Sequence, residues 1–542
     1  MHWAWSLLGF AGYLVLVVVH DRVKRASRRG ARAVEYYEKG LKHFDGSWPG
    51  TGVSGDRLLD PEHPYAADLD LFGVGSLFER ICAARTRAGE ETLASWLLAP
   101  AVATTIRERQ VAVAELRPRL DLREDLELLG AEVREGIAPE DLSAWGRDPS
   151  HHFTLGPIIA SRLLAVLGVF GLVSWFALPF GSVVFIPILF VEMAFGYSQR
   201  AKVSKVLAAI ERRTHDLVLL AELLARLERE SYSSPMLVRL HDALTSEGEP
   251  ASVRVGRLAQ LVQILEAREN QLFAPFAALL LWKTQCAMAI DSWRAHTGPA
   301  IAGWLAAVGE FEALGSMAAY AFENPSAPFP TIEEDGPLFD GYQVGHPLIS
   351  EESCVRNDVQ LAGALRMLLV SGSNMSGKST LLRTVGINTV LALAGAPVCA
   401  SRLRVSVVAI GATLRIQDSL QAGKSRFYAE LTRIRQLVDI SRGSRPLLFL
   451  LDEIFHGTNS QDRAVGAGAV VLGLLERGAI GLVTTHDLAL AEIADRLAPR
   501  AANVHFEDQL IDGTMHFDYT MRPGIVRHSN ALALMRAVGL DV

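Results

Sequence analysis

Cysteine is scarce in this chain. The four among 542 residues, Cys82, Cys286, Cys354 and Cys399, match neither a thiolate metal cage nor a disulfide framework in their spacing. They read as ordinary buried thiols of a reducing compartment. Surplus positive charge is missing too. The 53 basic residues are outnumbered by 60 acidic ones, for a formal net charge of −7. No overall basic field therefore draws the chain to a polyanion, although a local patch remains open to it. No internal repeat or low-complexity tract is visible.

Hydrophobicity, in contrast, is plentiful: half the residues are apolar and the mean hydropathy is positive. The excess is concentrated. Trp3 to Val19 carries no charge and is close to the shortest run that spans a bilayer. A cleaved leader places its basic residues before the apolar run. Here Arg22, Lys24, Arg25, Arg28, Arg29 and Arg32 follow it, which predicts an uncleaved anchor with everything after it cytoplasmic. A second apolar block, Leu163 to Tyr197, is too long for one comfortable helix and is interrupted at Leu178 to Gly181. Two short spanning helices joined there return the chain to the side where Arg200, Lys202 and Lys205 wait. Glu192, near the cytoplasmic exit, reads as a snorkelling carboxylate and is assigned no function. About three transmembrane helices are expected, in a plasma membrane of the bacterial inner-membrane type.

The expected organisation is an anchor over 1–20, a basic linker over 21–64, and a helical region over 65–150. A transmembrane hairpin over 155–198 and a second helical region over 200–330 follow. The pattern from Ala67 to about Gly146 is helical, with Ile106 to Leu129 alternating apolar and charged residues at helical spacing. Three prolines between Asn324 and Pro330 mark a boundary, and the texture changes beyond them. Short β-like runs (RMLLVS, PLLFLLDE, GLVTTH) alternate with helical stretches, the rhythm of an α/β sheet with crossover helices over 331–542. NVHFED and MHFDYT predict a hairpin, and Ala531 to Val538 a final helix.

Gly372-Ser373-Asn374-Met375-Ser376-Gly377-Lys378-Ser379 satisfies the Walker A pattern of a P-loop NTPase, between a predicted strand and a predicted helix. The glycines let backbone N–H groups turn inward around phosphates, and the helix N-terminus adds positive potential. Lys378 is expected to reach the β- and γ-phosphates of ATP, and Ser379 to ligate Mg²⁺. Leu447 to Glu453 supplies a Walker B strand, 74 residues after Lys378 to its first acid. It delivers Asp452 as a second holder of Mg²⁺ and Glu453 as the catalytic group that orients or deprotonates water. His486, at the end of the third strand, is placed to sense the γ-phosphate as a further catalytic residue.

Taken together, these pieces resemble the MutS family of DNA mismatch repair ATPases. Gly372 through Thr380 is similar to that family's Gly-Pro-Asn-Met-Gly-Gly-Lys-Ser-Thr, with Ser373 and Ser376 as departures. Asp452 to Thr458 resembles Asp-Glu-Ile-Gly-Arg-Gly-Thr, departing at Phe455 and His456, so the usual arginine's role does not carry over. Gly423 to Glu430 is similar to the family's Gly-x-Ser-Thr-Phe-x-x-Glu. The resemblance implies that Ser425 contacts the γ-phosphate of a partner subunit's nucleotide, hence a homodimer with composite sites. Asn357 matches a family asparagine near the adenine, and Gly345 to Leu348 matches the start of the ATPase domain. Asp68-Leu69-Asp70-Leu71-Phe72 and Trp96-Leu97-Leu98 resemble the opening of the family's all-α core, which acts as a lever.

The family's mismatch-reading domain has no counterpart ahead of the core, and the apolar hairpin stands where the duplex clamp normally interrupts it. The resemblance thus implies a membrane-anchored ATPase whose engine transfers more securely than its sensor. DNA-related work, mismatch repair or the binding of another DNA structure, is the first expectation. An ATP-driven membrane scaffold or switch acting on protein partners without DNA is the alternative. A transporter would carry Leu-Ser-Gly-Gly-Gln between the Walker motifs, and that signature is absent.

Overall fold

The computed structural model describes residues 2–130, 139–148, 153–208, 210, 214–246, 248–266, 274–373, 375–414, 426–455, 460–486, 488–511 and 514–526. It divides into two compact units.

The first unit gathers Met1–Ala33, Ala84–Glu90 and Leu120–Glu312. Helix α1 (His2–Asp45) is continuous, so the basic stretch after the apolar run is helical. Of the helices that follow along the chain, α5 (Leu120–Gly130) and α6 (Pro139–Arg147) lie in this unit, whereas α2 (Leu77–Ile81), α4 (Ala103–Leu116) and most of α3 (Arg87–Leu98) belong to the second. The stretch 106–129, expected as helical, is built as two helices. Arg117 to Arg119 separate α4 from α5, because Pro118 supplies no backbone N–H to carry the helix on.

The expected hairpin is present as α7 (Leu155–Ala177) and α8 (Gly181–Ala208), turning at Leu178 to Phe180. These are the two helices among the described residues long and apolar enough to cross a membrane. Small residues of α7 (Ser161, Ala165, Gly168, Gly171 and Ser174) face inward, whereas Phe170, Phe176, Phe180, Val183 and Phe190 face outward, Phe176 being 84% exposed. Glu192 is buried in the hairpin, packed over Gly168 where a larger residue would collide with its carboxylate. Large apolar groups outside and small ones inside reverse the arrangement of a water-soluble helix pair. The helices α9 (Thr214–Glu228) and α10 (Pro235–Ala243) come next. A two-residue ladder of β1 (Thr245–Ser246) and β2 (Glu249–Pro250) then leads to α11 (Ala251–Glu266), α12 (Ala274–Leu279), α13 (Trp282–Thr297) and α14 (Ile301–Glu323). Within this unit α9 packs on α5 and α11, and α13 on α7, α8 and α11.

The second unit gathers Val34–Ala83, Glu91–Arg119 and Ala313–Val542. A four-stranded sheet is ordered β3 (Thr331–Glu333), β7 (Arg402–Ser406), β4 (Phe339–Val344), β5 (Asn357–Leu361). The larger sheet has six strands, ordered β12-β11-β6-β10-β9-β8. Of these, β6 is Met367–Ser371, β8 Ala409–Thr413, β9 Leu447–Asp452, β10 Ile480–Thr485, β11 Ala501–Ile511 and β12 Thr514–Pro523. All pairs are parallel except the hairpin β11–β12. Helices α15 (Lys378–Ala394), α16 (Arg426–Ile440), α17 (Ser460–Glu476) and α18 (Leu488–Arg496) provide the crossovers. The central strands β6 and β10 are buried throughout and β9 up to its last residue, which is why their sequences are uninterrupted apolar runs rather than alternations. The final helix expected at 531–538 lies outside the described residues.

Candidate functional site

Register decides where the polar residues emerge. Thr485 pairs with Ser371, and Thr484 with Asp452, so β6, β9 and β10 end together at one edge of the sheet. Ligands of open parallel sheets gather at that edge. From β6 the chain turns through residues 372–377 into α15. Gly377 stands before the helix at φ 99°, a left-handed conformation that a side chain would strain, with Tyr519 packed against it. Gly395 ends the same helix at φ 98°.

Here the sequence-identified residues converge. Ser373, Met375, Gly377, Lys378, Ser379, Thr380, Asn357, Asp452 and Glu453 all line one cavity of about 710 Å³. The Lys378 ammonium donates to the carbonyls of Gly372 and Ser373, at 2.9 and 2.8 Å, and lies 3.4 Å from Glu453 Oε1. Buried Ser376 donates from its hydroxyl to the Ser373 carbonyl at 2.8 Å, bracing the loop from within. Met375 projects from the turn at φ 71° and is 85% exposed. Asn374 lies outside the described residues, as do Ser425 and His456.

Asp452 accepts a hydrogen bond from the Thr484 hydroxyl, and that hydroxyl in turn accepts the Glu453 N–H at 3.0 Å. One threonine thus holds both acids in place. Glu453 sits at φ 46°, turning its carboxylate toward the loop. Its second oxygen is 3.5 Å from Nδ1 of His486. His486 thus meets Glu453, which lines the cavity, and its side chain is half exposed. Buried Glu430, at the end of the motif that contains Ser425, accepts the N–H of Phe455. This ties α16 to the turn after β9.

Asn357 bridges to the hairpin: its amide donates to the Tyr519 carbonyl at 3.0 Å, and its oxygen accepts from the Met521 N–H at 2.7 Å. Tyr519 itself stands at φ 52° on the cavity wall. Neither it nor Thr413 was identified by motif, and His346, although within the matched Gly345–Leu348 stretch, was assigned no place in the site. The left-handed Tyr519 could not be read from its neighbours. His346 is buried, and that burial, with the charge of Arg383 second, depresses its imidazole to about 4.

The cavity suits a polar, phosphate-bearing ligand. Two hydroxyls at its wall, Ser373 Oγ and Thr413 Oγ1, are buried without a protein partner, and such groups are satisfied by ligand or water. Ser379 and Asp452 offer one hydroxyl and one carboxylate. That set fits Mg²⁺, which takes one or two protein oxygens and completes its shell with phosphate and water.

The segment 65–76, expected as helical, consists of turns, and helix starts only at Leu77. Its polar groups are used elsewhere. Asp68 is fully buried, accepting the Leu414 N–H at 2.7 Å and Arg433 of α16 at 3.3 Å. Arg383 of α15 donates to the Asp68 carbonyl and lies 3.5 Å from Asp70. Leu69 packs where Gly386 has no side chain. The segment thus fastens α15 to α16.

Comparison with known proteins agrees with this geometry. Residues 368–541 match the family described as MutS domain V. The chain is 31% identical over 238 residues to the DNA mismatch repair protein MutS of Natronomonas pharaonis. It is 34% identical over 246 residues to DNA mismatch repair protein MutS 2 of Halobacterium salinarum. To Endonuclease MutS2 of Thermus thermophilus it is 32% identical over 213 residues. These alignments cover 43%, 44% and 38% of this chain and 27% of each relative. The chain spans about a quarter of the length of the curated relatives it matches.

Proposed function

We propose, starting from a chain whose C-terminal domain is related to the MutS family, that this protein is a membrane-held ATPase that works as a homodimer. The observation that carries the reading is the convergence of Lys378, Ser379, Asp452 and Glu453 on one cavity at the end of three parallel strands.

In this reading residues 372–380 hold the phosphates of ATP. Lys378 exchanges its carbonyl partners for phosphate oxygens, and Ser379 with Asp452 holds Mg²⁺. The bound nucleotide and metal supply a polarised phosphorus for attack by water. Glu453, braced by Thr484, orients that water and takes up its proton. His486, in contact with Glu453, passes the state of the site to β10 and α18. Asn357 supports the adenine end. Ser425 reaches the nucleotide of a second subunit, so each site is completed in the dimer. The hairpin α7–α8 and the apolar start of α1 lie in the membrane, and the ATPase domain faces the cytoplasm. The relatives named for mismatch repair and for endonuclease activity make a DNA structure the first-choice target.

The direct test is nucleotide binding by detergent-solubilised protein. Lys378→Ala is expected to lower ATP affinity at least about 100-fold, the loss of a charged contact to phosphate in a partly closed site. Unchanged affinity sinks the assignment of the loop. Binding to homoduplex, mismatched and branched DNA, with ATP and over a salt series, tests the target. Absence of binding to all three moves the function to a switch that acts on protein partners.

A further inference from the structure

Cys354 and Cys399 are 45 residues apart in sequence and neighbours in space. Both sulfurs approach the point where Gly345 would carry a Cβ, at 2.9 and 3.1 Å, which puts them within about 6 Å of each other. Gly345 is what permits the meeting: any side chain there would wedge between the thiols.

Both sides of the pair are held. The Gly345 N–H donates to the Cys399 carbonyl at 2.8 Å, and the Cys399 N–H donates to Asn388 Oδ1 at 2.7 Å. The His346 N–H donates to the Cys354 sulfur at 3.3 Å. The two cysteines share a small cavity of about 90 Å³ with Arg356 and Glu351, room for about three waters and so for a small oxidant. Cys354 alone of the two also lines the larger cavity, beside Ser353, Val355 and Asn357. Cys82 and Cys286, by contrast, are fully buried.

We propose that Cys354 and Cys399 form an oxidisable dithiol, which hydrogen peroxide converts to a disulfide that weakens nucleotide binding. Cys354 is the attacking sulfur: it opens on the larger cavity and accepts the His346 N–H at 3.3 Å, and the neighbouring Cys399 thiol, with Arg356 adding to the pull, holds its thiol below the ordinary range against burial. Its thiolate attacks one peroxide oxygen and the O–O bond breaks. The products are a sulfenic acid on Cys354 and hydroxide, which takes the proton released by the thiol and becomes water. The Cys399 sulfur then attacks the Cys354 sulfur. The S–O bond breaks, and the hydroxyl leaves with the Cys399 proton as a second water. Two thiols lose two electrons and peroxide gains them. The bond draws the cavity wall at Ser353 to Val355 toward Val398 to Ala400 and turns the sulfur that accepts the His346 N–H into a disulfide sulfur, a weaker acceptor than the thiolate.

The effect on nucleotide rests on reading the large cavity as the ATP site, so the test separates the two. Full-length protein in detergent is treated with hydrogen peroxide, digested without reduction and mapped by mass, and ATP affinity is measured before and after. The expected result is a linked Cys354–Cys399 peptide pair and affinity weaker by roughly fivefold, about one neutral hydrogen bond, restored by dithiothreitol. Cys399→Ser, outside the nucleotide cavity, is expected to bind ATP as the reduced protein does and to lose the response to peroxide. Thiols that stay unlinked, or linkage with unchanged affinity, overturn the proposal. Reduced protein that binds no ATP overturns the cavity's assignment and the control of binding with it, while the linked peptides are still scored by mass.

Discussion

Glu453 is held by three neighbours with different demands: its N–H by Thr484, one oxygen near Lys378, the other near His486. Glu453→Gln keeps the shape and removes the base. It is expected to bind ATP within a few-fold of the wild type and to lower turnover about 100-fold or more, measured as phosphate release. Wild-type turnover would remove Glu453 from the chemistry. His346 makes a second residue-scale prediction. Burial holds it neutral in the folded state, with its pKa lowered to about 4. The unfolded chain takes up a proton below its ordinary value near 6.5. Stability is therefore complete above about pH 6.5 and falls as pH drops toward about 4, by at most about 3 kcal/mol. Denaturant midpoints between pH 7 and 4 check this, and His346→Asn should flatten the slope. An unchanged slope in that variant assigns the pH dependence to other groups.

Among elements, the segment around Asp68 carries more than its sequence suggested. The motif was visible as a family-like opening of a helical core, but its conformation was not. Residues 67–76 are turns because Asp68 and Asp70 answer to Arg433, Arg383 and the Leu414 N–H, hundreds of positions away. Local spacing cannot register such partners. Asp68→Ala takes its acceptor from the Leu414 N–H and its buried carboxylate from the Arg433 guanidinium, and is expected to cost about 2–3 kcal/mol. A thermal melt of the full chain measures it, and a change within about 0.5 kcal/mol would show the contact to be incidental. The strands were the easier part. Continuous apolar runs such as MLLVS and LLFLLD are what burial on both faces demands, and the hairpin β11–β12 followed from two alternating runs. The stretch over 106–129 was harder, because helical periodicity continued across a proline that ended the helix.

For the whole molecule, the first and the second unit make separate demands. A helix pair with phenylalanines outward and glycines inward calls for an apolar surround. The protein is expected to stay with the membrane pellet through an alkaline carbonate wash. After detergent extraction, the Glu453→Gln variant with ATP is expected to sediment as a dimer. Release by carbonate removes the membrane placement, and a monomer with ATP removes the composite site built on Ser425.

Sequence alone located the glycine-rich turn before α15, the acids that close β9 and the apolar helices α7 and α8. Each depends on residues adjacent in the chain, where spacing and composition are the physical cause. Tertiary structure decided what faces the large cavity from afar: Tyr519, Thr413 and His346 on its wall, Thr484 beneath the two acids, and Cys399 beside Cys354. Those meetings follow from strand register and from the absence of a side chain at Gly345 and Gly377, and both arise only when distant segments pack.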